Sequence, residues 1–253
     1  MDFVKEKLPA YSVVLSYIIQ IVCNAVVGNQ IGEVSRKNDT NLTPDGLTFI
    51  VWAFIYVFQL LLVVYQTFST FPEKNMNRWA LNTSFILNGL WCILWVNEFW
   101  ISQFIIITFY LICLIVVYYQ MVDTYDVYID TILMNFGISS NLIWVCFATV
   151  ISLTITLKNY KVEAVSDDDW AIIWLICLTI INNMLVFIKN DYVIGLVSIW
   201  AISGIYRNQN DLISSYALVC LIVIFIITLC SFTMIIVNYK KQKNSKFYHT
   251  LNY

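Results

Sequence analysis

The sequence predicts an all-α fold: a polytopic helical membrane protein with about eight spans. Three observations carry this. Of the 253 residues, 60% are hydrophobic and 12% are charged, against about 25% charged in a soluble domain. The mean hydropathy is +0.75. The apolar residues also fall into runs near the roughly 17–25 residues that a helix needs to cross the hydrocarbon core. Such a composition excludes a disordered chain and an ordinary soluble enzyme. Fourteen basic and sixteen acidic residues, net −2, leave no basic footprint for nucleic acid.

Taken in order, the spans are 10–28, 47–68, 79–96, 101–119, 128–157, 170–188, 192–206 and 212–239. The first is longer than the roughly 7–15-residue apolar core of a signal peptide, and no small-x-small cleavage pattern follows Gly28, so a retained helix is expected. The fifth is long enough to tilt or to project from the bilayer. It holds Asp130, the one charged residue inside a span, close enough to an end to reach the interface. The sixth follows Asp167-Asp168-Asp169. Acidic residues suit a helix N-terminus; the alternative, a divalent-ion site, finds no further ligands in the flanking sequence. The seventh rises only about 22 Å, short of the roughly 30 Å core, so it is either a thin-membrane helix or a re-entrant segment. Trp79, Trp100 and Trp170 sit at span ends and read as interfacial belt residues.

Eight crossings put nine basic residues on the side of the termini (Lys5, Lys7, Lys74, Arg78, Lys189, Lys240, Lys241, Lys243, Lys246) and five on the other (Arg36, Lys37, Lys158, Lys161, Arg207). Both termini are then expected in the cytosol. Without a seventh crossing the count becomes six against eight and the bias reverses. Two glycosylation acceptors in the first loop, Asn38 (Asn38-Asp39-Thr40) and Asn41 (Asn41-Leu42-Thr43), favour eight crossings with that loop on the lumenal or outer side. This slightly favours the secretory pathway or plasma membrane over mitochondria.

The seven cysteines all lie in apolar runs and read as unpaired buried thiols. The single histidine, His249, is in the tail. No Ser-His or Cys-His pair and no multi-His metal site can form in the membrane core. The chain is expected to be no enzyme and to need no cofactor.

The informative residues inside the spans are polar and aromatic. Ser84, Asn88, Trp91 and Trp95 share one helical face. So do Gly137, Asn141, Trp144, Ala148 and Ser152, and likewise Thr48, Trp52, Tyr56 and Gln59. Lipid offers nothing to an amide or an indole N–H, so these faces turn to protein, water or a ligand. Two readings stay open: a ligand space walled by aromatics, or hydrogen bonds that join helices.

Thr43-Pro44-Asp45-Gly46-Leu47-Thr48-Phe49-Ile50-Val51-Trp52 with Ile55-Tyr56, Leu87-Asn88-Gly89-Leu90-Trp91, and Trp144-Val145-Cys146-Phe147-Ala148 resemble, in order and span number, motifs of helices 2, 3 and 5 in the TspO/MBR family (translocator protein, peripheral benzodiazepine receptor). The resemblance covers about residues 10–157. It implies a TspO-like five-helix bundle over 1–157, a C-terminal helical extension of about three further transmembrane helices over 158–239, and a basic polar tail over 240–253. It further implies a pocket for porphyrins, sterols or benzodiazepine-like compounds with Trp52, Asn88, Trp91, Trp144 and Ala148 in its wall; helical spacing adds Trp95 and Asn141. Ser152 stands where the family usually has Asn. The family's sterol pattern is not formed in helix 5, and its nearest match is Val237-Asn238-Tyr239-Lys240-Lys241 in the last span. The expected function is binding, with transport or sensing, of a flat hydrophobic ligand, a tetrapyrrole ahead of a sterol, in contact with the lipid bilayer. The alternative is a scaffold in a membrane assembly, as a homo-oligomer or with another membrane protein.

Overall fold

The computed structural model describes residues 2–68, 77–121, 132–162 and 165–251, with side chains over 8–68, 77–120, 132–162 and 165–237. Lys74 and Asp130 lie outside the described residues, as do the side chains of Lys5, Lys7, Lys240, Lys241, Lys243, Lys246 and His249.

The described residues form α1 (Asp2–Lys37), α2 (Val51–Phe68, led in by the 3-10 turn Gly46–Ile50), α3 (Arg78–Val96), α4 (Trp100–Met121), α5 (Ile132–Asn159), α6 (Asp167–Lys189), α7 (Tyr192–Asn208) and α8 (Asp211–Leu251). All except α7 are long and apolar enough to cross a membrane. The protein is an integral, multi-pass, all-helical membrane protein in contact with lipid.

The first five helices close a ring. α1 packs on α2 and α3, α3 on α4, and α4 on α5. α5 returns to α2 through one wide π turn, Asn135–Ser139. Gly137 lies in that turn, and a Cβ there would stand 3.4 Å from the Phe58 carbonyl oxygen. The missing side chain lets the two backbones approach. α5 is the central helix: 72% of its apolar window is buried, against 22–44% in the six others.

The last three helices pack against one side of this ring. α8 lies on α6 and α7, and α7 reaches α5 and the turn before α2. α7 is tied at both of its ends. At its start Tyr192 stacks edge-on to Phe136 of α5. At its far end Arg207 pairs with Asp45 of the first loop. It therefore runs from the π turn of α5 to the first loop. Its 17 residues rise about 26 Å. Val193, Ile194, Val197, Ala201, Ile202 and Ile205 are buried by other helices, so this short helix faces lipid over little of its surface.

The first loop, the α3–α4, α5–α6 and α7–α8 connections gather at one end of the bundle, here the loop end. There Lys37 meets Glu98, Lys158 meets Asp167, and Asn41 and Asn210 both donate to Asp168. Asp167–Asp169 form the first turn of α6: Ser166 Oγ accepts from the Asp169 N–H and donates to its carboxylate. Of the expected belt residues, Trp79 is exposed, but Trp100 is a correction. It is 8% exposed and packs edge-on against Trp95.

Candidate ligand chamber and the polar layer beneath it

Two layers of side chains fill the ring, one helical turn apart. In the layer nearer the loop end, tryptophans from three helices run together. Trp52 of α2 lies with ring centroids 6.0 Å from both Trp91 of α3 and Trp144 of α5. Trp91 continues to Trp95 at 5.5 Å. Phe49 meets Trp144 edge-on at 6.0 Å. These rings wall a chamber with about 30 Å³ of free space, completed by Ile31, Ser35, Pro44, Phe147, Ala148 and Ile151, and by Ala201 and Ile205 of α7. The chamber shares Ile31, Ser35, Pro44, Phe49 and Trp52 with a second, more polar space of about 450 Å³. That cleft lies between α1 and the lead-in to α2, with Asn24, Asn29, Arg36, Asp39, Tyr56 and Asn208 on its walls.

The indole N–H groups have different fates. Trp91 donates to Gln103 Oε1 (3.1 Å) and Trp95 to the Ile31 carbonyl (3.4 Å). Trp144 Nε1 is buried with no partner.

One turn farther from the loop end, each ring helix contributes one polar side chain. Asn24 of α1 donates to Asn88 Oδ1 of α3 (2.8 Å), and Tyr56 of α2 donates to Asn24 Oδ1 (2.7 Å). Tyr110 of α4 donates to Asn141 Oδ1 of α5 (2.9 Å) and also faces Asn88. This layer draws one side chain from each of the five helices. Farther still, Gln20 donates to Gln59 and Ser16 to Asn82, tying α1 to α2 and α3.

The structure therefore divides the expected site residues. Trp52, Trp91, Trp95, Trp144 and Ala148 line one chamber. Asn88 and Asn141 do not line it; they lie in the polar layer beneath. Asn-x-x-Trp in α3 and in α5 places one residue in each layer, because both helices run toward the loop end. Ser152 is buried with its hydroxyl unpartnered. The sequence reading missed the α1 wall, although Ser16, Gln20 and Asn24 recur every four residues on one face of that helix. It also missed the contribution of α7.

That contribution is held at the loop end by a dense set of bonds. Trp200 Nε1 donates to the Thr48 carbonyl (2.9 Å), the Asp45 N–H to the Gly204 carbonyl (3.1 Å), Asn208 to the Thr43 carbonyl (3.1 Å), and Gln209 to the Thr40 and Thr43 carbonyls. Asp45 caps the 3-10 turn through the Thr48 N–H and hydroxyl and accepts from Arg207. The Arg207 guanidinium beside it holds its carboxyl below the ordinary value. Gly204 lets α7 touch this loop: a Cβ would overlap Thr48 Oγ1 and press on Pro44.

The candidate glycosylation acceptors lie in the same loop. Asn38 donates to the Val34 carbonyl and Asn41 to Asp168 (2.6 Å). The seven cysteines are free thiols. Among the described residues no cluster of His, Cys, Asp or Glu is suited to a metal ion. In the Val237–Lys241 pattern, the side chains after Val237 lie outside the described residues.

A ring of five helices around an aromatic chamber, braced by three more, defines a class of polytopic membrane protein with a hydrophobic interior space. The profile of the TSPO-like protein family matches residues 8–230, and the chain belongs to that family. The match continues through α6 and α7 and well into α8, beyond the five-helix bundle. No curated protein and no solved structure matches the chain.

Proposed function

We propose that the protein binds a flat, mostly apolar ligand at the loop end, a tetrapyrrole ahead of a sterol, and that transport or sensing is built on this binding. The observation that carries the reading is the meeting of Trp52, Trp91, Trp95 and Trp144 around one space that adjoins a cleft of about 450 Å³. That volume lies within the roughly 300–1,000 Å³ of small-molecule pockets. The apolar body would lie in the cleft with an edge against Trp52 and Phe49, and its polar rim toward Asn24, Asn29 and Arg36. Binding rather than catalysis is part of the proposal, because the chamber wall carries no ionisable side chain. The nine-to-five basic bias and the acceptors Asn38 and Asn41 support an orientation with the loop end outside and both termini in the cytosol.

The test is titration of protoporphyrin IX into the full-length protein in nanodiscs, followed by tryptophan quenching. Saturable quenching is expected. Trp52→Leu should weaken it about 5- to 150-fold, corresponding to the roughly 1–3 kcal/mol lost with an aromatic stacking surface. Quenching that never saturates, or that is unchanged in folded Trp52→Leu, removes the reading.

One observation favours a second reading. The chamber itself has room for little more than a water molecule, as expected if its tryptophans serve packing in a scaffold subunit. That reading expects no ligand in native mass spectrometry of the purified protein and a co-purifying membrane partner instead.

A further inference from the structure

At the end of the bundle remote from the chamber, α6 turns into α7 through only Asn190 and Asp191. Asn190 takes a left-handed conformation (φ 52°), which Asn tolerates better than most residues. The turn carries Asp191 inward. Its side chain caps α7 by accepting from the Val193 N–H (3.1 Å), yet the residue is only 4% exposed. Asp191 forms no ion pair among the described residues. Two hydroxyls stand beside it: Tyr118 from α4, 2% exposed, and Ser139 from the π turn of α5, fully buried. Neither has a satisfactory hydrogen-bond partner.

A buried carboxylate without a counter-charge is costly, and an ionisable group buried in a membrane protein marks function more often than packing. The π turn that supplies Ser139 is a local irregularity of a kind frequent at functional sites. We propose that Asp191, Tyr118 and Ser139 form a proton-binding site at this end of the bundle. The hydroxyls fit both states, donating to the carboxylate and accepting from the acid. Burial pushes the Asp191 carboxyl up, while Ser139, the Val193 and Ile194 N–H groups and Tyr118 favour its charged form. Burial is the larger effect, so the carboxyl stands above its ordinary value.

The titratable and charged groups around it, among the described residues, are few. α4 brings Tyr118 and Tyr119. α6 brings Lys189, whose Nζ lies 5.7 Å from the Tyr119 ring centre. α7 brings Tyr192. α5 brings the neutral Ser139, and α8 reaches this end with Thr228 beside Gly195 and Phe232 beside Tyr192.

The test is pH-difference infrared spectroscopy of the full-length protein in lipid, reading the carboxylic-acid carbonyl band. A band that titrates above the ordinary Asp value of about 3.9 and is missing in Asp191→Asn is expected. Asn caps helices about as well as Asp, so this variant keeps the turn. Tyr118→Phe and Ser139→Ala each remove a donor to the carboxylate. Each should raise the midpoint by roughly one pH unit, a tenfold gain in proton affinity. A band that persists in Asp191→Asn, a midpoint at the ordinary value, or midpoints unmoved in both hydroxyl variants overturns the proposal.

Discussion

The tryptophan layer and the asparagine–tyrosine layer lie one turn apart on the same helices and were assembled from the same sequence pattern, yet they do different things. In the lower layer Asn24, Tyr56 and Asn88 bond to one another across α1, α2 and α3, and Tyr110 bonds to Asn141 between α4 and α5. In the upper layer the rings touch, but a cleft adjoins them and the Trp144 N–H finds nothing. A polar residue inside a span is therefore no sign of a ligand by itself, since neighbouring helices can use its oxygen, as at Asn88 and Asn141, while Nδ2 of each stays buried without a partner. Unpartnered donors occur in both layers, so what sets the upper layer apart is the cleft that adjoins it. The upper layer also depends on α7 for part of its wall, whereas the lower layer is complete within the ring.

The sharpest way to break the comparison is at Gly204. In Gly204→Val the new side chain collides with Thr48 and Pro44. α7 should lose its place at the loop end, at a cost of about 3 kcal/mol, the upper range for overpacking. Gly28, whose Cβ would meet nothing within 4 Å, is the control. Gly28→Ala should be neutral or stabilising by up to about 1 kcal/mol through helix propensity. Thermal unfolding monitored by tryptophan fluorescence reads both, and equal losses in the two variants would sink the account of the α7 seam.

Asn88→Ala attacks the lower layer. It leaves Asn24 Nδ2 without its interhelical acceptor, and the expected loss is about 1–2 kcal/mol of stability. Affinity for protoporphyrin IX per folded molecule should stay constant. A weaker affinity in folded Asn88→Ala would mean that the two layers form one site. Trp144→Phe makes the reciprocal change. It keeps an aromatic wall and removes a buried, unpartnered N–H; stability should change little, and a ligand edge that enters the chamber past Trp52 and accepts from this N–H would lose about threefold to tenfold in affinity, as for one lost neutral hydrogen bond. An unchanged affinity would leave that N–H without a ligand role.

Much of this was legible in the sequence. Run length and composition gave the helices, because bilayer thickness sets a length that few other constraints imitate. The faces of α2, α3 and α5 followed from 3–4 residue spacing, and their tryptophans lie around one chamber. Spacing could not say which side of a buried face carries the space and which carries a neighbour. Asn88 and Trp91 share a face, but only the arrangement of α1 and α4 gives Asn88 its partners. α7 read as marginal because 15–17 residues are too few for a lipid-exposed span, whereas a helix screened by α5 and α8 needs no full hydrophobic length. Asp191 falls between the sixth and seventh spans, and nothing local in the sequence records that a two-residue turn buries it.

The smallest expected effect concerns the bond that ends the α7 seam, and its sign follows from the environment of Asp45. Arg207 and the Thr48 groups hold that carboxyl below its ordinary value. A depressed acid adds stability in full above its unfolded pKa of about 3.9 and loses it as the pH falls through the lower folded value. The acid limb of a stability profile should therefore contain a component that ends below about pH 4. The size is modest, because the side chains of Arg207 and Asp45 are 41% and 23% exposed and solvent screens them. Arg207→Gln keeps a hydrogen-bonding side chain, removes the charge and should flatten this component. Asp191 titrates in the opposite window, above the ordinary value, so the two ends of α7 separate along the pH axis. An identical acid limb in Arg207→Gln and the parent would show that the steric fit of Gly204 and the backbone bonds to the first loop hold α7 without help from the ion pair.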